Sequence, residues 1–311
     1  TLLSAIVVSL LPGCLKKHPD LEHLYKPAPI SEPMQDFFDR NGVQPQHFTG
    51  DADTWITFTG QKGFTVNIPA NSFVDCDGRN VTGMIDITFK EAVSKSDFIL
   101  SNKPTQTEDD ALVSAGSYYL SAEQNGKKLK FKGNSHFTVS IPSTNIDLAM
   151  QMFIADENPD SRFTWSVVQA EPIWANIAGG TGLDSVGYLT YFSFGEEDSP
   201  FSWANCDKYW NVPDAKIMVE PGNNPSIVNT MFFLVAKDDN TVLDLYRLPL
   251  EDEFQMTQAP LDYEAWIVGI SIENNNLFLS KQEITIADEM IITPNFIQMT
   301  EADLIAEIDV L

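Results

Sequence analysis

Most of the chain after residue 50 consists of short segments in which apolar and polar residues alternate. Examples are "TWITFTG", "GFTVNIP", "GMIDITFKEAV" and "HFTVSIP", each bounded by Gly, Asn, Asp or Pro. A period of two turns successive side chains to opposite faces, which is typical of half-buried β-strands. In "EQNGKKLKF", Asn125 and Gly126 mark a tight hairpin turn because both tolerate positive φ angles. The spacing of these strands predicts an all-β fold of the sandwich type.

Changes in this pattern divide the chain into five predicted parts. Residues 1–13 form an apolar leader, and residues 14–50 form a proline-containing tether followed by an entry segment that leads into the first strand. Residues 51–195 form a first β-domain, and residues 196–298 form a second β-sandwich of immunoglobulin-like (Ig-like) type. Residues 299–311 form a short C-terminal helix. We therefore expect tandem β-sandwich domains followed by one helix.

The charge of the chain is strongly negative, with 44 acidic and 19 basic residues and a net charge of -25. Such a surface repels phosphate backbones and anionic head groups. Nucleic acid is therefore not an expected partner. Beyond the leader, the apolar runs "MFFLVA" and "AWIVGISI" have the length of core strands rather than of membrane spans.

The leader ends in "SLLPGC", where Cys14 follows a run of Leu, Ile, Val, Ala and Ser. This run is too short to cross a bilayer but matches the apolar region of a signal peptide. The last four residues, Leu-Pro-Gly-Cys, resemble the bacterial lipobox. The resemblance implies that residues 1–13 are a lipoprotein signal peptide and that the sulfur of Cys14 carries the lipid. A leucine rather than an acid follows the cysteine, which implies the outer membrane and leaves its periplasmic or extracellular face undecided.

The first β-domain resembles a known family through two stretches, "GFTVNIPANSFVDCDGRNVTGMIDITFKEA" and "LVSAGSYYLSAEQNGKKLKF". They are similar to the ZU5-like domain of Gram-negative bacterial lipoproteins. The segments "IDLAMQMFIADE" and "SWANCDKYW" resemble the same group, so the likeness covers most of residues 60–295. The resemblance implies a β-sandwich lipoprotein of the outer membrane and says little about its activity.

Some ZU5 relatives cleave themselves between Phe and Ser of a His-Phe-Ser sequence, where the hydroxyl attacks the preceding carbonyl. The corresponding residues in "SHFTVSIP" are His136, Phe137 and Thr138. The resemblance therefore implies autoproteolysis between Phe137 and Thr138 as one hypothesis. The alternative is a plain strand in which Phe137 and Val139 share a face.

Aromatic residues concentrate in "SWANCDKYW", which contains Trp203, Tyr209 and Trp210. These rings are candidates for a sugar-binding platform, because the apolar faces of sugars pack on aromatic rings. The alternative is a set of core aromatics that tie one β-domain to the next.

No motif predicts a metal centre or a cofactor site. The acidic loops "DCDG" and "DENPD" offer oxygen ligands for a structural calcium ion, but the interpretation as hairpin turns is favoured. "HPDLEH" contains two His and two carboxylates, yet it lies in the tether, which lacks the rigid frame of a zinc site. Cys76 and Cys206 either form a disulfide in an exported protein or remain separate thiols.

These observations predict a non-enzymatic lipoprotein that is held at the outer membrane through Cys14. It would act as a binding or scaffolding module with a protein partner in a membrane complex. A first alternative is a carbohydrate-binding protein that uses an exposed Trp203 or Trp210. A second alternative is an autoproteolytic ZU5-type domain that cleaves between Phe137 and Thr138. A third is an enzyme, which would need His47 or His136 beside clustered carboxylates in a pocket.

Overall fold

The computed structural model describes residues 30–143, 147–156, 163–168, 173–176, 187–193, 202–220, 222–247 and 253–311. Strands account for 52% of the structure and helices for 11%, which confirms an all-β fold of sandwich type with a short C-terminal helix. Cys14, the "HPDLEH" segment and most of "DENPD" lie outside the described residues.

The described elements are three helices and twenty-two strands, numbered here in chain order. The helices are α1 (Glu32–Asn41), α2 (Lys95–Leu100) and α3 (Glu301–Asp309). The strands are β1 (Gln46–Asp51), β2 (Ile56–Thr59), β3 (Thr65–Ile68), β4 (Phe73–Val74), β5 (Met84–Ala92), β6 (Leu112–Gln124), β7 (Lys127–Lys128), β8 (Lys130–Phe131), β9 (His136–Pro142), β10 (Gln151–Asp156), β11 (Thr164–Val167), β12 (Ile173–Asn176), β13 (Gly187–Ser193), β14 (Trp203–Tyr209), β15 (Asp214–Val219), β16 (Thr230–Ala236), β17 (Val242–Arg247), β18 (Phe254–Pro260), β19 (Glu264–Glu273), β20 (Asn276–Thr285), β21 (Met290–Ile292) and β22 (Ile297–Met299).

The first half of the chain forms a sandwich of two sheets. One sheet has the order β1-β5-β6-β14-β10-β11, with β7 paired to β6, and the other has the order β12-β13-β9-β3-β2. Alternation places one set of side chains in the core between them. In β5 these are Ile85, Ile87 and Phe89, and in β9 they include Val139 and Ile141. The period-two pattern in the sequence is therefore the pattern of this core.

The seven-stranded sheet is buried on both faces at its central strands, β6 and β14. Tyr118 and Leu120 of β6 belong to the sandwich core, whereas Leu112 of the same strand packs on the opposite side. On that side lies a second core, which we call the central core. It contains residues of α1, α2 and α3 together with Phe153, Trp165 and Trp203 of the first half and one face of the second sheet.

The second half forms one eight-stranded sheet with the order β21-β15-β18-β17-β16-β19-β20-β22. It is a half-barrel that curves around its own core. Residues 290–299 run from one edge strand, β21, to the other, β22, and so connect both edges. Between these strands Phe296 packs on Phe232, with ring centroids 5.7 Å apart. We call residues 290–299 the strap.

The helices hold both ends of the described chain in the central core. Helix α1 buries Met34, Phe37 and Phe38, and the Phe38 ring lies 6.3 Å from that of Phe233 in β16. The Asn41 side chain donates a hydrogen bond of 2.9 Å to Glu301, the first residue of α3. The element that follows the tether is thus packed against the C-terminal helix.

Strand β14 lies in the first sheet, although it comes after the sequence-based boundary at residue 196. It pairs with β6 on one side and with β10 on the other. The chain passes to the second sheet only between Tyr209 and Asp214. The pairing partners of β14 are distant in the sequence, so local alternation does not reveal them.

A polar joint connects the two halves between residues 105–114 and 240–244. Thr105 donates its backbone N–H to the carbonyl of Val242 at 2.6 Å, and its side-chain oxygen accepts the Val242 N–H at 3.0 Å. The Asn240 side chain donates to the carbonyls of Val93 and Ser114, both at 3.0 Å. Because these groups are largely buried, each bond fixes the position of one half against the other.

We expect Thr105→Val to destabilise the protein by about 1–3 kcal/mol, because the isosteric change leaves the Val242 N–H buried without its partner. Urea unfolding followed by circular dichroism measures this. The matched control is Thr49→Val on an exposed position of β1, which should change stability by less than about 0.5 kcal/mol. Equal stability of both variants would contradict the role of the joint.

Candidate functional site

Trp203 does not offer an exposed ring. It leaves 7% of its surface accessible and packs on Tyr119, with ring centroids 5.7 Å apart. The ammonium group of Lys103 lies 5.7 Å from the centre of the same ring, within the range of a cation–π contact. Trp203 is therefore a core residue of the central core in this structure.

Tyr209 and Trp210 pack in different surroundings. The Tyr209 ring meets Phe153 edge to face at 5.5 Å, on the side of the central core. The Trp210 ring meets Tyr263 edge to face at 4.8 Å, beside the core of the half-barrel. The three aromatic residues thus do not form one platform.

His136, Phe137 and Thr138 begin β9, which is paired on both sides. Thr138 pairs with Asn67 of β3 and with Tyr191 of β13. Phe137 is buried in the sandwich core and stacks on Phe131 with ring centroids 4.8 Å apart. These contacts agree with the alternative in which residues 136–138 belong to an ordinary paired strand.

His47 lies on the edge strand β1 and is exposed. Its Nδ1 is 3.4 Å from the hydroxyl of Thr88, its neighbour on β5. Within the described residues, no group of three or more His, Cys, Asp or Glu side chains is arranged to hold a metal ion.

The "DCDG" loop is a turn whose two aspartates bind the arginine that follows it. Asp75 accepts the Nε–H of Arg79 at 2.8 Å, and Asp77 accepts an Nη–H of the same guanidinium at 2.5 Å. Hydrogen bonds from the backbone and side chain of Arg79 lower the pKa of Asp75. Cys76 of this turn is exposed and Cys206 is buried, and both are free thiols, so they do not form a disulfide.

A buried carboxyl group lies on the face of β14 that is turned toward the second half. Asp207 is completely buried, and its Oδ2 accepts a hydrogen bond of 2.5 Å from Asn205. Its Oδ1 has no hydrogen-bond partner. The pairing of β14 with β6 shifts between Cys206 and Asp207 at a β-bulge, opposite Gly116, whose φ is +139°.

Burial raises the pKa of Asp207 well above its usual range. Burial, and then the neighbouring Asp207 carboxyl, likewise raise the pKa of the Cys206 thiol. A carboxyl group with one unpartnered oxygen is expensive to ionise in such surroundings. The protonated form of Asp207 is therefore the one that this site favours.

The largest exposed aromatic side chain among those with described burial belongs to Trp55. It exposes 66% of its surface, and Met84 exposes 61%. Asp51 pairs with Met84, and the Asp53 carboxylate accepts the N–H of Gly83 at 2.9 Å. The two exposed apolar residues therefore lie at the same end of the first sandwich.

A lysine-rich hairpin lies at this same end. The Gln124 side chain at the end of β6 donates to the carbonyls of Thr82 and Met84, at 2.9 and 3.0 Å. Beyond it, β7 and β8 carry lysines, and β8 pairs with β4. We call this end the tip and define it as residues 51–55, 71–84 and 123–132. Its lysines are Lys127, Lys128, Lys130 and Lys132.

The sequence analysis did not single out the tip. Four lysines within "KKLKFK" and a tryptophan just before a strand are visible in the sequence. Their proximity is not visible, because the three segments meet only through the pairing of β1, β5 and β6 and of β4 and β8.

Comparison with models of known protein families gives no match, and comparison with curated proteins gives none either. None of the described helices is long and apolar enough to cross a bilayer.

We expect Asp207→Asn to become increasingly more stable than the unchanged protein as the pH rises from about 4. Because the pKa of Asp207 is raised on folding, its contribution to stability decreases above the pKa of the unfolded chain. The slope is about 1.4 kcal/mol per pH unit while folded Asp207 keeps its proton. Urea unfolding at several pH values measures this difference.

The control is Asp109→Asn, which removes an exposed carboxyl group from the connection before β6. It should change the stability at neutral pH by less than about 0.5 kcal/mol. If the stability difference between Asp207→Asn and the unchanged protein does not grow as the pH rises, Asp207 does not have the raised pKa.

Proposed function

We propose that this protein is a lipid-anchored lipoprotein of the outer membrane, related to the ZU5-like lipoproteins. In this proposal it works without catalysis, as a binding or scaffolding module for a protein partner in a membrane complex. The proposal begins with the lipobox-like "SLLPGC" and the proline-containing segment behind it. Such an arrangement holds a folded body near a bilayer at the end of a tether.

The single structural observation that supports this proposal is the way the chain continues from the tether. The first described helix, α1, is not a loose extension: Phe37 and Phe38 are buried in the central core. The side chains of Arg40 and Asn41 both contact Glu301 of α3. A force or an attachment at residue 30 is therefore passed directly to the folded body.

The polar joint extends this connection to both halves. Lys95, the first residue of α2, donates a hydrogen bond of 2.7 Å to the carbonyl of Lys237 in the second half. Together with the bonds of Thr105 and Asn240, it supports a body that presents both halves in a fixed relation. That is a suitable property for a scaffold, because a partner then meets a preformed surface.

We expect Cys14→Ser to release the protein from the membrane fraction, since the substitution removes the proposed acylation point. Mass spectrometry of the native protein should find a lipid on Cys14 and the leader absent. Cys76→Ser removes the exposed cysteine of the first sandwich and serves as the matched control. This variant should stay in the membrane fraction.

The partner is tested in the same cells by purification in mild detergent. A specific partner should accompany the unchanged protein and Cys76→Ser, and should be lost or strongly reduced with Cys14→Ser. An unmodified and uncleaved amino-terminal segment in the soluble fraction would overturn the anchor. Isolation of the anchored protein alone would overturn the scaffolding role.

A further inference from the structure

The charge of the tip differs from that of the rest of the molecule. The tip contains five basic and five acidic residues, whereas the whole chain contains 19 and 44. The residues outside the tip thus account for the whole net charge of -25. A neutral end with two exposed apolar side chains stands out on so acidic a protein.

The basic and acidic groups of the tip differ in their partners. Asp75 and Asp77 both bind Arg79, and Asp53 accepts the Gly83 N–H. None of the ion pairs among the described residues includes a lysine of the tip. Asp53, Asp75 and Asp77 are therefore held within the tip. Lys127 and Lys128 are exposed, and their ammonium groups are available for an external anion.

We propose that the tip docks on an anionic lipid bilayer, with the side chains of Trp55 and Met84 in the head-group region and the lysines on lipid phosphates. Tryptophan favours this region because its ring is apolar and its N–H is polar. Each lysine near an anionic surface adds to the attraction.

The residue types favour a lipid surface over a protein partner at this end. Tryptophan and methionine are common in both kinds of contact, but lysine is depleted in protein–protein interfaces. Four lysines beside Trp55 and Met84 are instead typical of interfacial anchors, where long lysine side chains reach to the head groups.

The negative charge of the body does not prevent this contact. Electrostatic interactions are screened over about 8 Å at physiological ionic strength. Strand β5 runs nine residues from Met84 at the tip to Ala92 near α2, a length of about 30 Å. The acids at the far end of the first sandwich are thus several screening lengths away from a surface that touches the tip.

The proposed anchor allows this orientation, although the tip contact does not require the lipid. The tether leads into α1, and the C-terminal end of this helix, at Gly42, lies beside Leu100 and Ser101 at the end of the sandwich opposite the tip. Residues 14–29 have a maximum extended length of about 55 Å, which exceeds the length of the sandwich. The lipid and the tip can therefore contact the same bilayer.

The experiment measures sedimentation with vesicles, using the chain without its leader (residues 14–311) and with Cys14→Ser. Because this chain carries no lipid, a failure of the tip to bind vesicles would not contradict the proposed lipid attachment at Cys14. We expect binding to vesicles of phosphatidylethanolamine and phosphatidylglycerol but not to vesicles of phosphatidylcholine, and weaker binding at high salt. Tryptophan emission should shift to the blue on binding.

Two tip variants test the residues. Trp55→Ser should weaken binding about tenfold and abolish the blue shift, since it removes the apolar contact. Lys127→Ser with Lys128→Ser should weaken binding about fivefold for each lysine. Matched controls are Val310→Ser, which is 74% exposed after α3, and Lys216→Ser, which is exposed on β15. Both should bind like the parent chain.

Several results would overturn the proposal. If the protein does not sediment with anionic vesicles, the tip does not bind a lipid surface. A protein partner is then the remaining occupant of the tip. Equal binding by tip and control variants, or binding that does not respond to salt, shows that another part of the chain makes the contact. Melting curves of all variants identify any change that comes from loss of the fold.

Discussion

The central strands of the seven-stranded sheet, β6 and β14, are covered on both faces, and the arrangement of the other layers depends on this constraint. Along β14, Ala204 and Cys206 enter the sandwich core, while Trp203, Asn205 and Asp207 face the second half. A sheet with two buried faces needs a cover on each side. The five-stranded sheet covers one face, and the helices with the half-barrel cover the other.

The second face of this sheet is more polar than the first. Besides Asp207, it carries Ser117, whose buried hydroxyl has no hydrogen-bond partner, and Ser114, which donates to Asn205 at 3.0 Å. Apolar surfaces can slide over each other, but directional hydrogen bonds fix one arrangement. Buried polar atoms without a hydrogen-bond partner on this face lower the stability of the fold. The hydrogen bonds of this face and of the polar joint define how the two halves are oriented.

The sequence predicted the strands of the sandwich well because their cores follow a period of two, as Ile85, Ile87 and Phe89 show. It also predicted the C-terminal helix, which begins at a local cap where the Thr300 side chain accepts the Asp303 N–H. It did not predict which strands pair with β14. It also did not predict that Trp55 and the lysine hairpin lie at the same end of the first sandwich. Both depend on pairing between distant segments, which local alternation does not encode.

The two ends of the first sandwich differ in what is packed against them, and the directions of the strands explain this difference. At one end, α1 and α3 join the beginning and the end of the described chain through Asn41 and Glu301. At the other end, the connections among the described residues of the tip are turns between strands of the first half. The tip buries Phe73 and Phe131 in the sandwich core, whereas Trp55 and Met84 stay exposed. Large apolar side chains at such a position contribute little to the fold, and a contact with a surface outside the chain accounts for them better.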